Sequence, residues 1–278
     1  MTRVSALLRA SHPAPGAAVT LVVLALAVAV GLSPGLVILV TATMALDQLS
    51  VGWSNDWIDA ERDRIAGRRD KPVALGQVSR RTVGIAAIVA LVLSIAGGFL
   101  VSPAAGLAHT VFVLSAWGYN LGLKRTALSF VPYMVSFGLL PAIVTLSLDP
   151  PAWPAWWATA AGAGLGLSAH LANVLPDLDD DARTGVRGFP HRLGARPSGV
   201  LAFLALVASS LVIAWNAQSV AGIVCFAIIV VVAAYGMSLV LRRRLSRSLF
   251  LLILVSALLT VVSLVVAGAD LVGFNVMR

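Results

Sequence analysis

Cysteine occurs once, at Cys225, in a chain of 278 residues, which excludes an intrachain disulfide and any zinc site built on several thiolates. Histidine is scarce as well, with four residues and no metal-binding cluster among them. Charged residues make up only 12% of the chain, where a soluble domain carries about a quarter. The twelve acidic residues include no alternating calcium loop, so an EF-hand is excluded. What fills the chain instead is apolar: 59% hydrophobic residues and a mean hydropathy of +0.94. That composition describes a membrane protein.

An apolar helix needs roughly 20 residues to cross the hydrocarbon of a bilayer. Stretches near 14–31, 35–52, 82–100, 104–123, 127–148, 154–174, 200–217, 220–240 and 248–268 approach that length and predict nine transmembrane helices. Arg3 and Arg9 give the first stretch the outline of a signal sequence, but eight later stretches make an anchored first helix the better reading. With a cytoplasmic N-terminus, all of the 20 Lys and Arg residues except Arg278 fall in or beside the inner segments 1–13, 53–81, 124–126, 175–199 and 241–247. The net charge of +8 is then a basic cytoplasmic surface, suited to anionic lipid and an anionic substrate, with no nucleic acid partner expected.

Two inner segments share a polar layout. The first reads Asn55-Asp56-x-x-Asp59-x-x-x-Asp63, and the second Asn173-x-x-x-Asp177-x-x-x-Asp181. Asn, Asp and Asp recur at i, i+4 and i+8, which aligns them on one helix face. Stacked carboxylates repel, so two such faces near Lys and Arg point to a divalent cation holding a polyanion. The alternative, ordinary acidic caps at the membrane edge, leaves the repeated layout unexplained. Hard oxygen ligands suit Mg²⁺, which is usually held by a few carboxylates together with substrate phosphates. Diphosphate departure fits this set: metal and cationic side chains neutralise charge on the leaving group, while an apolar cavity holds a long tail and excludes water. Gly67 is positioned to stop the first helix, Pro72 holds Lys71 extended, and Pro176 breaks strict stacking in the second motif.

At these residues the chain resembles the UbiA superfamily of intramembrane prenyltransferases. The two aspartate-rich motifs, Asp70-Lys71-Pro72-x-x-x-Gly76-x-x-Ser79, Tyr119 with Lys124-Arg125, and Arg192-Leu193-Gly194 carry the resemblance along essentially the whole chain. It implies an all-α fold of nine transmembrane helices around a central cavity, capped by cytoplasmic helical loops. It also implies transfer of a prenyl group from a prenyl diphosphate, with Mg²⁺ bridging the motifs. On that resemblance Asn55, Asp59, Asp63, Asn173, Asp177 and Asp181 hold metal, and Asp56, Asp59, Asp177 and Tyr119 are catalytic. Asn55, Arg68, Lys71, Lys124, Arg125 and Asn173 meet the diphosphate. Trp57 stands where the family often has Tyr, the fourth stretch lacks a common Pro, and Gly188-Phe189-Pro190-His191 replaces a Lys-Thr-Leu stretch, leaving Arg187 as the substitute phosphate ligand.

Asp47 and His170 are further candidates on the acceptor side. An ionisable group at the depth of Asp47 is costly, and it serves either the acceptor or a helix–helix hydrogen bond with Gln48 or Ser50. His170, one turn before Asn173, is expected either to meet the acceptor or to make a structural hydrogen bond. His109 reads as structural; His12 and His191 read as basic-edge residues, with His191 in reach of a phosphate. Trp53, Trp57, Trp117 and Tyr119 offer aromatic faces to an allylic cation. Trp153, Trp156 and Trp157 read as an interfacial belt, and Gly162, Gly164 and Gly166 as close helix contacts.

The chain is therefore expected to be one membrane-embedded domain of two pseudo-related halves, roughly 1–126 and 127–278. Its expected activity is Mg²⁺-dependent transfer from a polyprenyl diphosphate to an aromatic or other lipid-soluble acceptor. A terpene cyclase without acceptor, or a non-catalytic lipid-diphosphate binding or transport protein, would use the same head-group site. Acceptor, chain length and oligomeric state are not encoded in any motif.

Overall fold

The computed structural model describes residues 2–183, 185–242 and 247–272; within them the side chains of Asp177, Asp179, Asp180, Arg247, Ser248, Phe250 and Ala269 are not described. Arg243, Arg244 and Arg278 of the basic and terminal segments lie outside the described residues.

Helices make up the described architecture: α1 (Arg3–Ala10), α2 (Pro13–Ala29), α3 (Pro34–Ile65), α4 (Arg80–Val101), α5 (Pro103–Leu121), α6 (Val131–Thr145), α7 (Trp156–Val174), α8 (Leu178–Arg183), α9 (Phe189–Leu193), α10 (Ala195–Ala217), α11 (Val220–Leu241) and α12 (Arg247–Val266). Among the described residues four helices, α3, α4, α10 and α11, are long and apolar enough to cross a membrane. Counting α1 and α2, bent by 62°, as one broken span makes five. Helices cover the other apolar stretches too, but α6 has only 15 residues, while α5 and α7 carry His, Asn, Ser and Gly that lower their hydropathy.

Proline and hydroxyl side chains set many of the starts. Pro13, Pro34 and Pro103 stand in first turns, where no backbone donor is lost. Ser79 and Ser102 accept N–H bonds from Thr82 and Ala105 at 3.0 Å, capping α4 and α5. Ser102 also donates to Leu146 O at 2.8 Å, tying α5 to the end of α6.

Side chains such as Ile38, Leu100, Val220 and Val231 point outward at 70–79% exposure, an apolar exterior that a water-soluble fold would not present on this scale. Inside, one core joins α2 to α7 around Phe112, Trp117 and Trp157, and a second joins α7 to α10–α12 around Phe203 and Leu206. The expected belt is thus narrower than three tryptophans: Trp153 and Trp156 face outward, whereas Trp157 is buried. The glycines of α7 do permit close contact. A Cβ at Gly162 would lie 2.5 Å from Phe137 O, one at Gly166 2.3 Å from Tyr133 O, and one at Gly164 2.2 Å from Ser209 Oγ. Gly162 and Gly166 therefore set the approach of α6, whereas Gly164 meets the end of a Ser209 side chain on α10.

Candidate diphosphate site

The first motif rides on the last three turns of α3, which continue the helix beyond its apolar part. Asp56, Asp59 and Asp63 are buried at 1–3% exposure, and Asn55 is half-buried. The helix ends in a reversal that sequence alone located: Gly67 has φ +66°, Gly67 N–H donates to Arg64 O at 3.2 Å and Arg68 N–H to Asp63 O at 3.0 Å. The chain then folds back over the motif. A turn closed by Leu75 N–H to Lys71 O at 3.1 Å leaves Lys71 pointing inward, buried at 7% exposure.

Lys71 Nζ donates to Asn55 Oδ1 at 3.0 Å and Asp56 Oδ1 at 2.7 Å. The second lysine arrives from another direction. After α5 the chain turns through a short 3₁₀ segment, Leu123–Arg125, and Lys124 Nζ donates to Asp59 Oδ2. That oxygen also accepts from Arg62 Nη2 at 2.9 Å and Asn55 Nδ2 at 3.3 Å, and the same Arg62 atom lies 3.6 Å from Asp63. Burial pulls the Lys124 amine below its ordinary range, and the Asp59 charge opposes that fall.

The opposite oxygens of both pairs are bare. Among the described residues, Asp56 Oδ2 and Asp59 Oδ1 are buried and find no hydrogen-bond partner. Orphaned carboxylate oxygens beside one another on a helix are hard donors that a Mg²⁺ ion would satisfy, so the first motif fits the metal its spacing implied. Among the described residues, however, no three Asp, Glu, His or Cys side chains converge on one point. Asn55 and the lysines stand between the carboxylates instead.

The second motif is broken at Pro176, as its sequence foretold: α7 ends at Val174, a 3₁₀ turn spans Leu175–Asp177, and α8 follows. Asn173 is exposed and donates to Tyr133 Oη at 3.4 Å. Asp181 lies 3.9 Å from His191 Nε2, whereas the Asp177 side chain lies outside the described residues. Tyr119 stands near the inner end of α5, one residue before Asn120. Its ring meets Tyr133 edge-on at 5.2 Å and His170 at 5.8 Å, making an aromatic corner of two half-buried tyrosines and a buried histidine.

His170 Nε2 is bonded to Ser129 Oγ at 3.0 Å, and that hydroxyl accepts Phe189 N–H at 2.8 Å. Its Nδ1 is buried and has no partner among the described residues. The segment after the second motif thus docks beside Lys124: a Cβ at Gly188 would lie 2.7 Å from Lys124 O and from Ser129 Oγ.

Other expected site residues lie further off or elsewhere. Arg68 forms a two-pronged pair with Asp70 at 2.8 and 2.9 Å, holding that carboxyl down to about 2. Arg125 and Arg187 are exposed. Asp47 is fully buried and accepts from Gln48 Nε2 at 3.0 Å, and its Oδ1 has no partner among the described residues. Ser50 does not serve Asp47; it donates to Ala87 O and accepts from Trp117 Nε1. Trp53 donates to Leu7 O at 2.8 Å, and Trp57 packs on Trp117 and Gly84, so neither joins the Tyr119 corner.

Three residues escaped the sequence reading. Arg62 sits on two motif carboxylates, Asn120 orients Asn55, and His12 enters the site from the N-terminus, where it had read as a basic edge. Only Arg62, inside the motif, left a signal that could have been used.

Residues 17–255 match the UbiA prenyltransferase family. Among curated proteins, the bacteriochlorophyll synthase 33 kDa chain of Cereibacter sphaeroides is 28% identical over 203 residues, 68% of this chain and 66% of that one. Digeranylgeranylglyceryl phosphate synthase of Pyrococcus horikoshii is 31% identical over 175 residues, 56% of this chain and 58% of that one. The matches span less than two thirds of these curated relatives. Among solved structures, a UbiA homologue from Archaeoglobus fulgidus bound to GPP and Mg²⁺ superposes with a TM-score of 0.71 at 16% identity, covering 96% of this chain and 99% of that one. At that identity the likeness establishes the fold.

Proposed function

The chain belongs to the UbiA prenyltransferase family, and we propose that it transfers a prenyl group from a polyprenyl diphosphate to an aromatic or other lipid-soluble acceptor, releasing diphosphate. One observation carries this reading: two buried lysines, Lys71 and Lys124, approach from different loops and bind neighbouring carboxylates of one helix whose other oxygens are bare. Cations and anions so placed cancel one another when empty and are positioned to regroup around a diphosphate. The relatives' names and the GPP and Mg²⁺ bound to the Archaeoglobus homologue support the same class of chemistry.

Asn55, Asp56, Asp59 and Asp63 of the first motif, with Asn173, Asp177 and Asp181 of the second, would hold Mg²⁺. When bound, Mg²⁺ neutralises the diphosphate oxygens as the bond to carbon breaks. Lys71 and Lys124, with Arg68, Arg125 and Arg187 around them, bind phosphate oxygens in the same step. The C1–O bond of the prenyl chain breaks, diphosphate leaves with the electron pair, and an acceptor carbon or oxygen bonds C1 and loses its proton. Tyr119 presents its ring to the developing allylic cation. His170 Nδ1, buried and free in the same corner, meets the acceptor and its departing proton. Asp47, deeper along α3, meets a polar group of the acceptor through its free Oδ1.

The fold neighbours and the apolar exterior support an integral, multi-pass membrane protein. We read the full arrangement as nine transmembrane helices in two pseudo-related halves, with N-terminus and site loops cytoplasmic, on the placement of Lys and Arg.

The test is a labelled-product assay on the protein in lipid with geranylgeranyl diphosphate, Mg²⁺ and a panel of phenolic, quinone-precursor and lipid acceptors, with Asp59→Asn as the blank. Label entering product only with acceptor is the expected result. A cyclic product formed without acceptor would replace the transferase with a cyclase, and tight binding of intact diphosphate without turnover across chain lengths would replace it with a binding protein.

A further inference from the structure

We propose that residues 2–12 form a strap over the first motif and that His12 is a positioning residue for Lys71 and Asp56, setting the affinity of the site for a diphosphate head group. The proposal rests on the reading of that site as a diphosphate site. The strap lies upstream of residues 17–255, the part of the chain that matches the family.

The strap is docked along its length. Thr2 caps α1, accepting Ser5 N–H at 3.3 Å. Ala6 and Ala10, one turn apart, are buried against Val78, at the end of the loop that carries Lys71, and Val83, in the first turn of α4. Leu7 O accepts from Trp53 Nε1 at 2.8 Å. A Cβ at Gly52 would lie 2.0 Å from Ser11 O, so α3 is bare at the point where the strap crosses it. These contacts clamp the Lys71 loop, the strap and α3 together one turn before Asp56.

The strap then ends in an uncommon conformation. His12 has φ +52°, a left-handed geometry that a non-glycine residue adopts at a cost. That turn aims the imidazole into the motif: Nε2 lies 2.8 Å from Asp56 Oδ1 and 2.9 Å from Lys71 Nζ, and those two atoms are 2.7 Å apart. In one neutral tautomer Nε2–H donates to Asp56 and leaves Lys71 bonded to Asn55 and Asp56. In the other the bare Nε2 accepts from Lys71, whose ammonium is then shared between the imidazole and Asp56 Oδ1. Either way the ring fixes where the Lys71 charge sits. Losing one hydrogen bond to a charged group corresponds to roughly a tenfold change in affinity.

The experiment uses the full chain in lipid nanodiscs. Binding of inorganic diphosphate with Mg²⁺ is titrated calorimetrically for wild type, His12→Ala, His12→Gln and Asp59→Asn, alongside KM and kcat for geranylgeranyl diphosphate and thermal unfolding of each protein. His12→Ala should weaken diphosphate binding about tenfold, with KM rising more than kcat falls, while His12→Gln, which keeps a polar end at similar reach, recovers most of the affinity. Equal affinity of wild type and His12→Ala would overturn the proposal. So would a His12→Gln as weak as His12→Ala, because the ring would then act by packing. A wild type that binds no diphosphate, or binds it no better than Asp59→Asn, would bring down the diphosphate reading itself, and the strap with it.

Discussion

Asn120 Oδ1 accepts a hydrogen bond from Asn55 Nδ2 at 3.3 Å, so the first residue of the acidic motif on α3 is oriented by the end of α5. The same Asn120 donates through Nδ2 to Val51 O at 3.0 Å and to Ser54 Oγ at 2.8 Å. The amide is buried at 4% exposure, and all of these bonds are made to one face of α3.

Replacing Asn120 with Ala should therefore do two things at once. It strips partners from buried groups, at a cost on the order of 1–3 kcal/mol in stability. It also leaves the Asn55 amide held on its nitrogen side by Asp59 alone, loosening its grip on Lys71, so turnover should fall further than residual stability explains. Thermal unfolding and a prenyl-transfer assay on the same preparation check both; a variant with normal turnover would show that Asp59 and Lys71 suffice to orient Asn55.

The two lysines differ in what their loss exposes. Lys124→Met leaves Asp59 buried with Arg62 as its remaining cation, and breaking a buried ion pair costs about 3–5 kcal/mol. Combining it with Asp59→Asn removes the stranded charge, so the double variant should unfold at a higher temperature than Lys124→Met alone. Its turnover should stay at least 10²-fold below wild type, as expected when electrostatic stabilisation of a leaving group is removed. A double variant that regained activity would show that the pair is structural.

How much of this was legible in the sequence depends on how local each signal is. The motif face, the helix stop at Gly67 and the break at Pro176 follow from spacing and backbone chemistry within a few residues. The start of α6 was misplaced by four residues, from 127 to Val131, because hydropathy does not see the turn in which Thr126 Oγ1 accepts Leu128 N–H at 3.1 Å. That turn places Ser129 against His170 and Phe189. His12 and Asn120 were missed for a similar reason. Their partners lie 44 and 65 residues away along the chain, and neither side chain belongs to a repeating pattern.

Two glycines of α7 that look alike in sequence should behave differently. A methyl at Gly166 meets the backbone carbonyl of Tyr133 at 2.3 Å, which cannot yield without moving α6. A methyl at Gly164 meets Ser209 Oγ at 2.2 Å, the end of a side chain that can turn away. Gly166→Ala should cost about 1–3 kcal/mol and displace the Tyr133 ring from Tyr119, whereas Gly164→Ala should be close to neutral. Equal effects on thermal unfolding would mean that α6 and α7 slide apart freely.

His191 gives the segment behind the second motif a dependence on pH. Its side chain is 6% exposed, and burial lowers its pKa from the ordinary value, with the Asp181 charge opposing. A histidine whose folded pKa lies below the unfolded one binds its proton first in the unfolded chain. Well above pH 6.5 both states are neutral and the residue is without effect; as pH falls through 6.5 towards the folded pKa, the unfolded state gains protons first and stability is lost. His191→Gln removes that proton uptake, so its unfolding temperature should change less than that of wild type between pH 7.5 and pH 5.5. Identical slopes would place the titrating group elsewhere, whereas a flatter slope would tie the docking of the Gly188 segment, beside Lys124, to a neutral imidazole.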